Sequence, residues 1–388
     1  MSIDLPKTFN PTDSTEVAGR PQIFDPALKH YSRAFRPGDP TFASPEAAAR
    51  WHASRRLATD HVLRALAASP WGEHLVLRGS RLMKAWYGDA AREPGDLDYV
   101  VTPATARLAG PWGADPWAAK LLSGVAAAVG VRPWPRGVAF QMDHVATDDI
   151  WTYERAEGRR VVFPWRTPDA PGGAVQVDVV FGETLTEPPT PTAIPTADGD
   201  TVSVLAATAG ESLAWKLLWL HTDIWSQGKD LYDAVISAES VYVPRHLLER
   251  KFRESLEPVT VPTADAFARS RFVEQNAWDE FLKEYPWVAG DMTVWQGRLT
   301  RALAPTFATC EQPTLSKVDV PAWKTSDVMG LVKTIAVRRV FDRLPVLADA
   351  LEEAGCDDAD VLDHCRAGHP HARNCWVTAW LLRATAAG

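Results

Sequence analysis

Cysteine is scarce in this chain, four in 388 residues, and three of the four, Cys356, Cys365 and Cys375, stand near the C-terminus. A disulfide-scaffolded secreted fold is excluded, and reduced thiols are expected. Long apolar runs are lacking too, so no segment is expected to span a bilayer. The opening residues, MSIDLPKTFNPTDSTE, carry neither the basic start nor the apolar core of a signal peptide, and a cytoplasmic protein is the expectation. An excess of positive charge is also missing. The net charge is −8, which speaks against a polyanion-binding surface spread over the whole molecule. Apolar residues at 46% and charged residues at 23% match the globular average and exclude a largely disordered chain. The length predicts about two to three domains.

The charge is uneven. From Asp342 to Asp363 stand Asp342, Asp349, Glu352, Glu353, Asp357, Asp358, Asp360 and Asp363 against Arg343 alone, so nearly all of the net charge lies there. From Arg50 to Arg92 the balance reverses, with Arg50, Arg55, Arg56, Arg64, Arg78, Arg81, Lys84 and Arg92 against Asp60, Glu73 and Asp89. A polyanionic substrate is permitted at that stretch.

Residues 1–45, rich in Pro, Thr and Asp without a sustained period, read as an extended N-terminal arm. Ser44-Pro45-Glu46 then has the cap and first-turn proline of a long amphipathic helix reaching Ala68. His74 to Arg78 reads as a short apolar strand, Gly79-Ser80 as a tight turn, and Leu82, Met83, Trp86 and Tyr87 as a helix. Asp96-Leu97-Asp98-Tyr99-Val100-Val101 alternates like a strand with both carboxylates on one face. A helix is predicted near Ala118–Val129, strands near Val138–Met142, Val161–Trp165 and Val175–Phe181, and a turn-rich connector over 188–195. Helical spacing runs from Gly210 to about Ala304, broken at 258–262. The resulting expectation is an α/β lobe over 46–205, a helical lobe over 206–309, a linker over 310–337 and an acidic helical module over 338–388.

Three features recur in an order that carries chemistry. Gly79-Ser80 at a helix N-terminus offers free N–H groups, the positive end of the helix dipole and a hydroxyl to a phosphate. Asp96 and Asp98 project from one strand face, and Asp178 on a later strand can close a cage of hard oxygens suited to Mg²⁺. Such ions activate an attacking oxygen and stabilise a leaving pyrophosphate, the chemistry of nucleotidyl transfer. An unpaired carboxylate at Asp178, among Val and Phe, is expensive to bury, so a metal or a buried partner is expected there.

The run Leu75-Val76-Leu77-Arg78-Gly79-Ser80, then Trp86-Tyr87-Gly88, Arg92 and Asp96-Leu97-Asp98, resembles the signature of the AbiEii/AbiGii nucleotidyltransferase toxins within the polymerase-β-like superfamily. Gln176 to Glu183 resembles the strand of the third acid. Glu211-x4-Lys216 and Lys229-Asp230-Leu231-Tyr232-Asp233 resemble the family's lysine motif and its later (Arg/Lys)-Asp-x-x-Asp motif. The resemblance spans roughly residues 50–300. It implies a polymerase-β-like α/β core with a C-terminal helical lobe, Asp96, Asp98 and Asp178 on Mg²⁺, Gly79, Ser80 and Lys216 on a nucleoside triphosphate, and Asp230 near the nucleotide or acceptor. It further implies an RNA acceptor at the transfer RNA 3′ end, a cognate antitoxin and a place in toxin–antitoxin or phage-defence systems. Arg81 and Pro94 depart from the family pattern, which has a small residue after Gly-Ser and Ser or Thr two before the first aspartate.

Plainer readings stand beside these. Ser80 also reads as a helix cap, Asp230 as the cap of a helix from Leu231 to Ile236, and Lys216 as a snorkelling lysine beside Leu213, Leu217 and Leu220. Trp112, Trp117, Trp134, Trp151 and Trp165 offer planes for bases but are expected chiefly in packing. Cys356, His364, Cys365, His369, His371 and Cys375 lack the Cys-x2-Cys pair of common zinc sites. Rival functions are nucleotidylation of a protein or small-molecule hydroxyl, and a catalytically silent nucleotide-binding module.

Overall fold

The computed structural model describes residues 5–9, 20–110, 113–152, 156–168, 170–223, 227–262, 273, 275–307, 323–338, 340–366 and 376–383. The chain divides into two units, Met1–Ala302 and Leu303–Gly388. The first is mixed α/β. Its helix α1, Pro45–Ala67, starts where the Ser44 side chain accepts from Ala47 N at 3.3 Å with Pro45 in the first turn, and it buries Trp51, Ala58, Val62, Leu63 and Leu66. Two further helices follow in this half, α2, Ser80–Tyr87, and α3, Pro116–Val131.

The main sheet has eight strands, numbered along the chain: β1, Leu75–Arg78; β2, Asp96–Val101; β3, Ala139–Phe140; β4, Ala146–Thr152; β5, Ala156–Thr167; β6, Ala170–Val180; β7, Thr190–Pro195; β8, Thr201–Ala206. Their order is β7-β8-β1-β2-β6-β5-β3, with β4 also on the outer side of β5. The centre is where the sequence has its Val- and Leu-rich strands. β1 is antiparallel to β2, and β2 is parallel to β6, with Gln176 opposite Asp96 and Asp178 opposite Asp98. That register brings two separate sequence motifs to one place on one face.

Several expectations change. Residues 188–195 are no connector: Thr190–Pro195 pairs along its length with Thr201–Ala206. Pro191 and Pro195 misled the reading, yet prolines are tolerated there because β7 is an edge strand with one hydrogen-bonding side unused. β4, between two predicted strands and itself not predicted, is a strand as well. The segment before α1 is not merely extended. It forms a hairpin, Gln22–Phe24 with Phe35–Pro37, and fastens to the sheet at the buried Asp148 of β4. The carboxylate accepts from Lys7 N at 3.1 Å, Thr8 N and Thr8 Oγ1 at 2.6 Å, and Tyr31 Oη at 2.7 Å.

Five helices complete the first unit's sequence: α4, Ala209–Thr222; α5, Gly228–Ser240; α6, Arg245–Arg253; α7, Gln275–Glu284; and α8, Met292–Phe307, within which the division falls. The second unit holds α9, Ser326–Arg338; α10, Leu344–Glu353; α11, Ala359–Arg366; and α12, Trp376–Arg383. α9 lies in the stretch expected as a linker, and its face of Val328, Val332 and Ile335 joins Leu344, Leu347, Leu351, Val361, Leu362, Val377 and Leu381 in a core of the unit's own. Cys356 and Cys365 are free thiols in that core. Among the described residues no three metal-ligating groups cluster; His369, His371 and Cys375 lie outside the described residues, as do Trp112 and the prolines of the linker. Among the described residues no helix is long and apolar enough to cross a membrane.

Close packing at the β5–β6 pair generates a test. Gly173 sits opposite the fully buried Trp165, and a Cβ on it would stand 2.3 Å from the indole. Neither strand backbone nor indole has room to move, so Gly173→Ala is expected to destabilise the protein by about 1–3 kcal/mol, read as a lower urea midpoint.

Candidate active site

The strand–turn–helix at 75–87 forms for local reasons. Gly79 adopts φ 79°, a conformation that costs a side-chain-bearing residue, and this turns β1 into α2. A second constraint acts on the same residue: a Cβ on Gly79 would stand 2.3 Å from Asp98 Oδ2. Glycine here both makes the turn and leaves room for a carboxylate. Ser80 Oγ donates to Asp96 Oδ1 at 3.2 Å, so the turn and the first acid are tied directly. Arg81, a departure from the expected pattern, points away. Its guanidinium bonds Asp60 Oδ1 at 2.8 Å and Pro195 O at 2.6 Å, while Asp60 Oδ2 accepts from Ala197 N at 2.7 Å. It fastens α2 to α1 and to the end of β7.

Asp96, Asp98 and Asp178 stand on one face of β2 and β6. Each is satisfied differently. Asp178 has a buried partner that sequence reading did not name: Arg160, directly opposite on β5, donates Nε to Oδ1 and Nη2 to Oδ2, both at 2.8 Å. Gln176 Nε2 adds a bond at 3.2 Å. An arginine buried on a strand needs an acid nearby, but which acid meets Arg160 depends on strand order, which the sequence does not reveal. Asp98, by contrast, accepts no hydrogen bond among the described residues. Burial and the charges of Asp96 and Asp178 push its carboxyl up to about 8, against the pull of Arg78 and Lys229. Burial also raises Asp178, with Arg160 opposing. Asp96 is disfavoured by burial as well, but Lys229, Arg92, Arg36 and Arg160 together hold it below its ordinary value.

The helical lobe contributes a second charged cluster. Lys216 of α4 and Asp230 and Asp233 of α5 are all buried. Lys216 Nζ lies 2.7 Å from Asp230 Oδ1 and 3.1 Å from Asp233 Oδ2. Arg92 grips Asp233 with Nε and Nη2 at 3.0 and 2.9 Å. Tyr232 Oη donates to Ala90 O at 2.8 Å. These bonds dock the start of α5 onto the segment that leads into β2. Lys216 is therefore neither a snorkelling lysine nor an open cation, and Asp230 is its counter-ion rather than a helix cap. Glu211, earlier in the same motif, is fully buried and takes Lys251 Nζ at 2.6 Å.

Lys229, in the first turn of α5, is half-buried and makes no hydrogen bond or ion pair among the described residues, yet its charge acts on Asp96, Asp98 and Asp25. The basic stretch 50–92 is largely committed elsewhere, Arg55 to Asp39, Arg56 to Glu93, Arg64 to Asp198, Arg78 to Glu183 and Lys84 to Asp89 and Glu93. Among the tryptophans, Trp165 is core, whereas Trp134 and Trp151 are exposed.

The donor set accommodates a divalent cation in one particular way. Among the described residues no three metal-ligating groups form a cluster, and Arg160 holds Asp178, but Asp96 and Asp98 form a hard-oxygen pair whose mutual repulsion a cation relieves. A Mg²⁺ ion is commonly held by one or two carboxylates plus substrate phosphates, and the pair fits that pattern.

The second cluster carries a stability test. Burial opposes ionisation of Asp233, but Arg92 and Lys216 outweigh it and hold the carboxyl below its usual 3.8. Its contribution is thus present above that value and lost as the pH falls through the depressed one. Asp233→Asn should cost about 3–5 kcal/mol at neutral pH, because two buried cations lose a counter-ion. Part of the parent's acid-side loss of stability should vanish in the variant, as measured by urea midpoints across the acid range.

The model of one protein family, described as the nucleotidyl transferase AbiEii toxin of type IV toxin–antitoxin systems, matches residues 61–305. No curated protein matches the chain. A solved structure, the MenT4 nucleotidyltransferase toxin from Mycobacterium tuberculosis, aligns at TM-score 0.45 and 15% identity over 84% of this chain and 94% of that one. The matched region runs from α1 through α8 and contains every charged group of both clusters except those of the N-terminal segment, and the chain belongs to the AbiEii family of nucleotidyltransferase toxins.

Proposed function

We propose that the chain moves a nucleoside monophosphate from a nucleoside triphosphate to a hydroxyl of RNA, at the transfer RNA 3′ end, as the toxin of a toxin–antitoxin or phage-defence system with a cognate antitoxin. The observation that carries the chemistry is that, among the described residues, Asp98 beside the Gly79 turn accepts no hydrogen bond while Lys229, whose charge acts on Asp96 and Asp98, is held by no hydrogen bond or ion pair of its own. Asp96 and Asp98 hold Mg²⁺. Once bound, the ion neutralises charge developing on the phosphates during in-line displacement. The N–H groups at the start of α2 and the Ser80 hydroxyl orient phosphate oxygens, and the Lys229 ammonium offsets triphosphate charge. The acceptor oxygen bonds to the α-phosphorus, the bond to pyrophosphate breaks and pyrophosphate leaves, and the hydroxyl proton passes to solvent. Lys216 and Asp230 act one layer back by fixing α5, and with it Lys229, against β2.

A second acceptor reading has an observation of its own. Most cations of the basic stretch are paired internally, which leaves less free positive surface for a long polyanion and favours a protein or small-molecule hydroxyl. Incubation with each labelled nucleoside triphosphate and either purified transfer RNA or lysate protein separates the two by which macromolecule becomes labelled.

Asp96→Asn or Asp98→Asn should lower turnover by at least about 100-fold with the fold intact. Lys229→Ala should raise the KM for nucleotide by about tenfold, the worth of one charge-assisted contact, with little change in melting temperature. Lys216→Ala should act first on melting temperature. A Lys229→Ala protein with the parent's KM would remove Lys229 from the phosphate site.

A further inference from the structure

Arg160 does more than neutralise Asp178. Its third nitrogen, Nη1, donates to Asp25 Oδ2 at 2.6 Å, while Asp25 Oδ1 accepts from Ala27 N at 3.1 Å. Arg160 and both aspartates are buried. Asp25 belongs to the segment before residue 61, outside the stretch shared with the family. That segment is itself pinned to the sheet through Asp148 and by Trp51 Nε1 and Arg20 reaching Gly172 O. A guanidinium fork thus joins a residue of the N-terminal segment to the third acid of the site, in register with Asp98.

We propose that Asp25 and Arg160 are positioning residues that decide how far Asp178 takes part in holding the divalent cation, so that the N-terminal segment is a working part of this enzyme's site. The inference rests on the assignment of the cation to Asp96 and Asp98. Asp25 and Asp178 compete for one cation. While Asp25 shares it, Arg160 binds Asp178 with a divided charge. Without the Asp25 charge, Arg160 is neutralised by Asp178 alone and withholds it from a metal more firmly. Without the Arg160 charge, Asp178 is released to join Asp98, one residue across the ladder.

The two changes therefore act with opposite sign, which a merely structural role does not produce. Mn²⁺ binding to the full chain without nucleotide, followed by electron paramagnetic resonance, is the readout. R160Q should bind Mn²⁺ about threefold to tenfold more tightly than the parent, the scale of one added carboxylate, and D25N should bind it more weakly by about the same factor. D178N introduced into R160Q should cancel the tightening. Should R160Q fail to fold, R160K, which keeps the charge but loses the fork, should still tighten binding, by less. Shifts of the same sign in D25N and the Arg160 variants, or none, overturn the proposal. If D96N/D98N binds Mn²⁺ as the parent does, the metal assignment fails and takes this inference with it; if that variant loses Mn²⁺ while D25N and R160Q do not part, the positioning role alone is wrong.

Discussion

Three carboxylates on one face of two neighbouring strands repel each other, and much of the first unit's polar architecture follows from that constraint. Coulomb repulsion between charges a few ångströms apart is several-fold stronger at a half-buried site than in water. Nothing apolar relieves it. The protein surrounds the face with cations on separate elements: Arg160 on β5, Arg78 on β1, Arg92 before β2, Lys229 on α5 and Arg36 in the N-terminal hairpin. Even so, Asp98 is left with a carboxyl raised to about 8. Burial first, and then the charges of Asp96 and Asp178, set that value, so the carboxyl holds a proton near neutral pH unless further positive charge comes close.

The same constraint explains how the helical lobe is attached. A helix bearing Lys229 close to the acids has to be held at a fixed height above the sheet, and apolar packing alone tolerates sliding by a fraction of a turn. The Lys216–Asp230–Asp233–Arg92 cluster does not, because its fork geometry and buried charges admit few arrangements. Burial makes the cluster a weak source of net stability but a strong source of register. Gly228 completes the fit, since a Cβ there would lie 2.6 Å from Phe281 Cβ of α7.

Much of this was legible in the sequence, and the limits are physical. Local chemistry was readable: the Ser44 cap, the glycine at 79, the two-residue spacing that puts Asp96 and Asp98 on one face. The pairing of β2 with β6 was readable only through the family resemblance, because strand order is a non-local property. The edge strand Thr190–Pro195 was hidden by its prolines. The ion pairs of Lys216 with Asp230 and Asp233 were not legible, because helical spacing shows that a lysine is buried but not which acids meet it from another helix. Arg160 and Asp25 were invisible for the same reason, as their 135-residue separation leaves no periodic trace.

What separates structure from chemistry in this site is satisfaction. Arg78, Arg92, Arg160, Lys216 and Lys251 are buried, and each has an acid within hydrogen-bond distance; a buried charge without such a partner is too costly to persist. Among the described residues the half-buried Lys229 and Asp98 have no such partner, and the start of α2 has no side-chain cap at Gly79. An anion bound to the N–H groups and Lys229, together with a cation on Asp98, would complete all three at once. A triphosphate carrying a divalent ion is such a pair in a single ligand. On the proposed function, the open groups would then meet the two charges of such a ligand with the opposite sign at each.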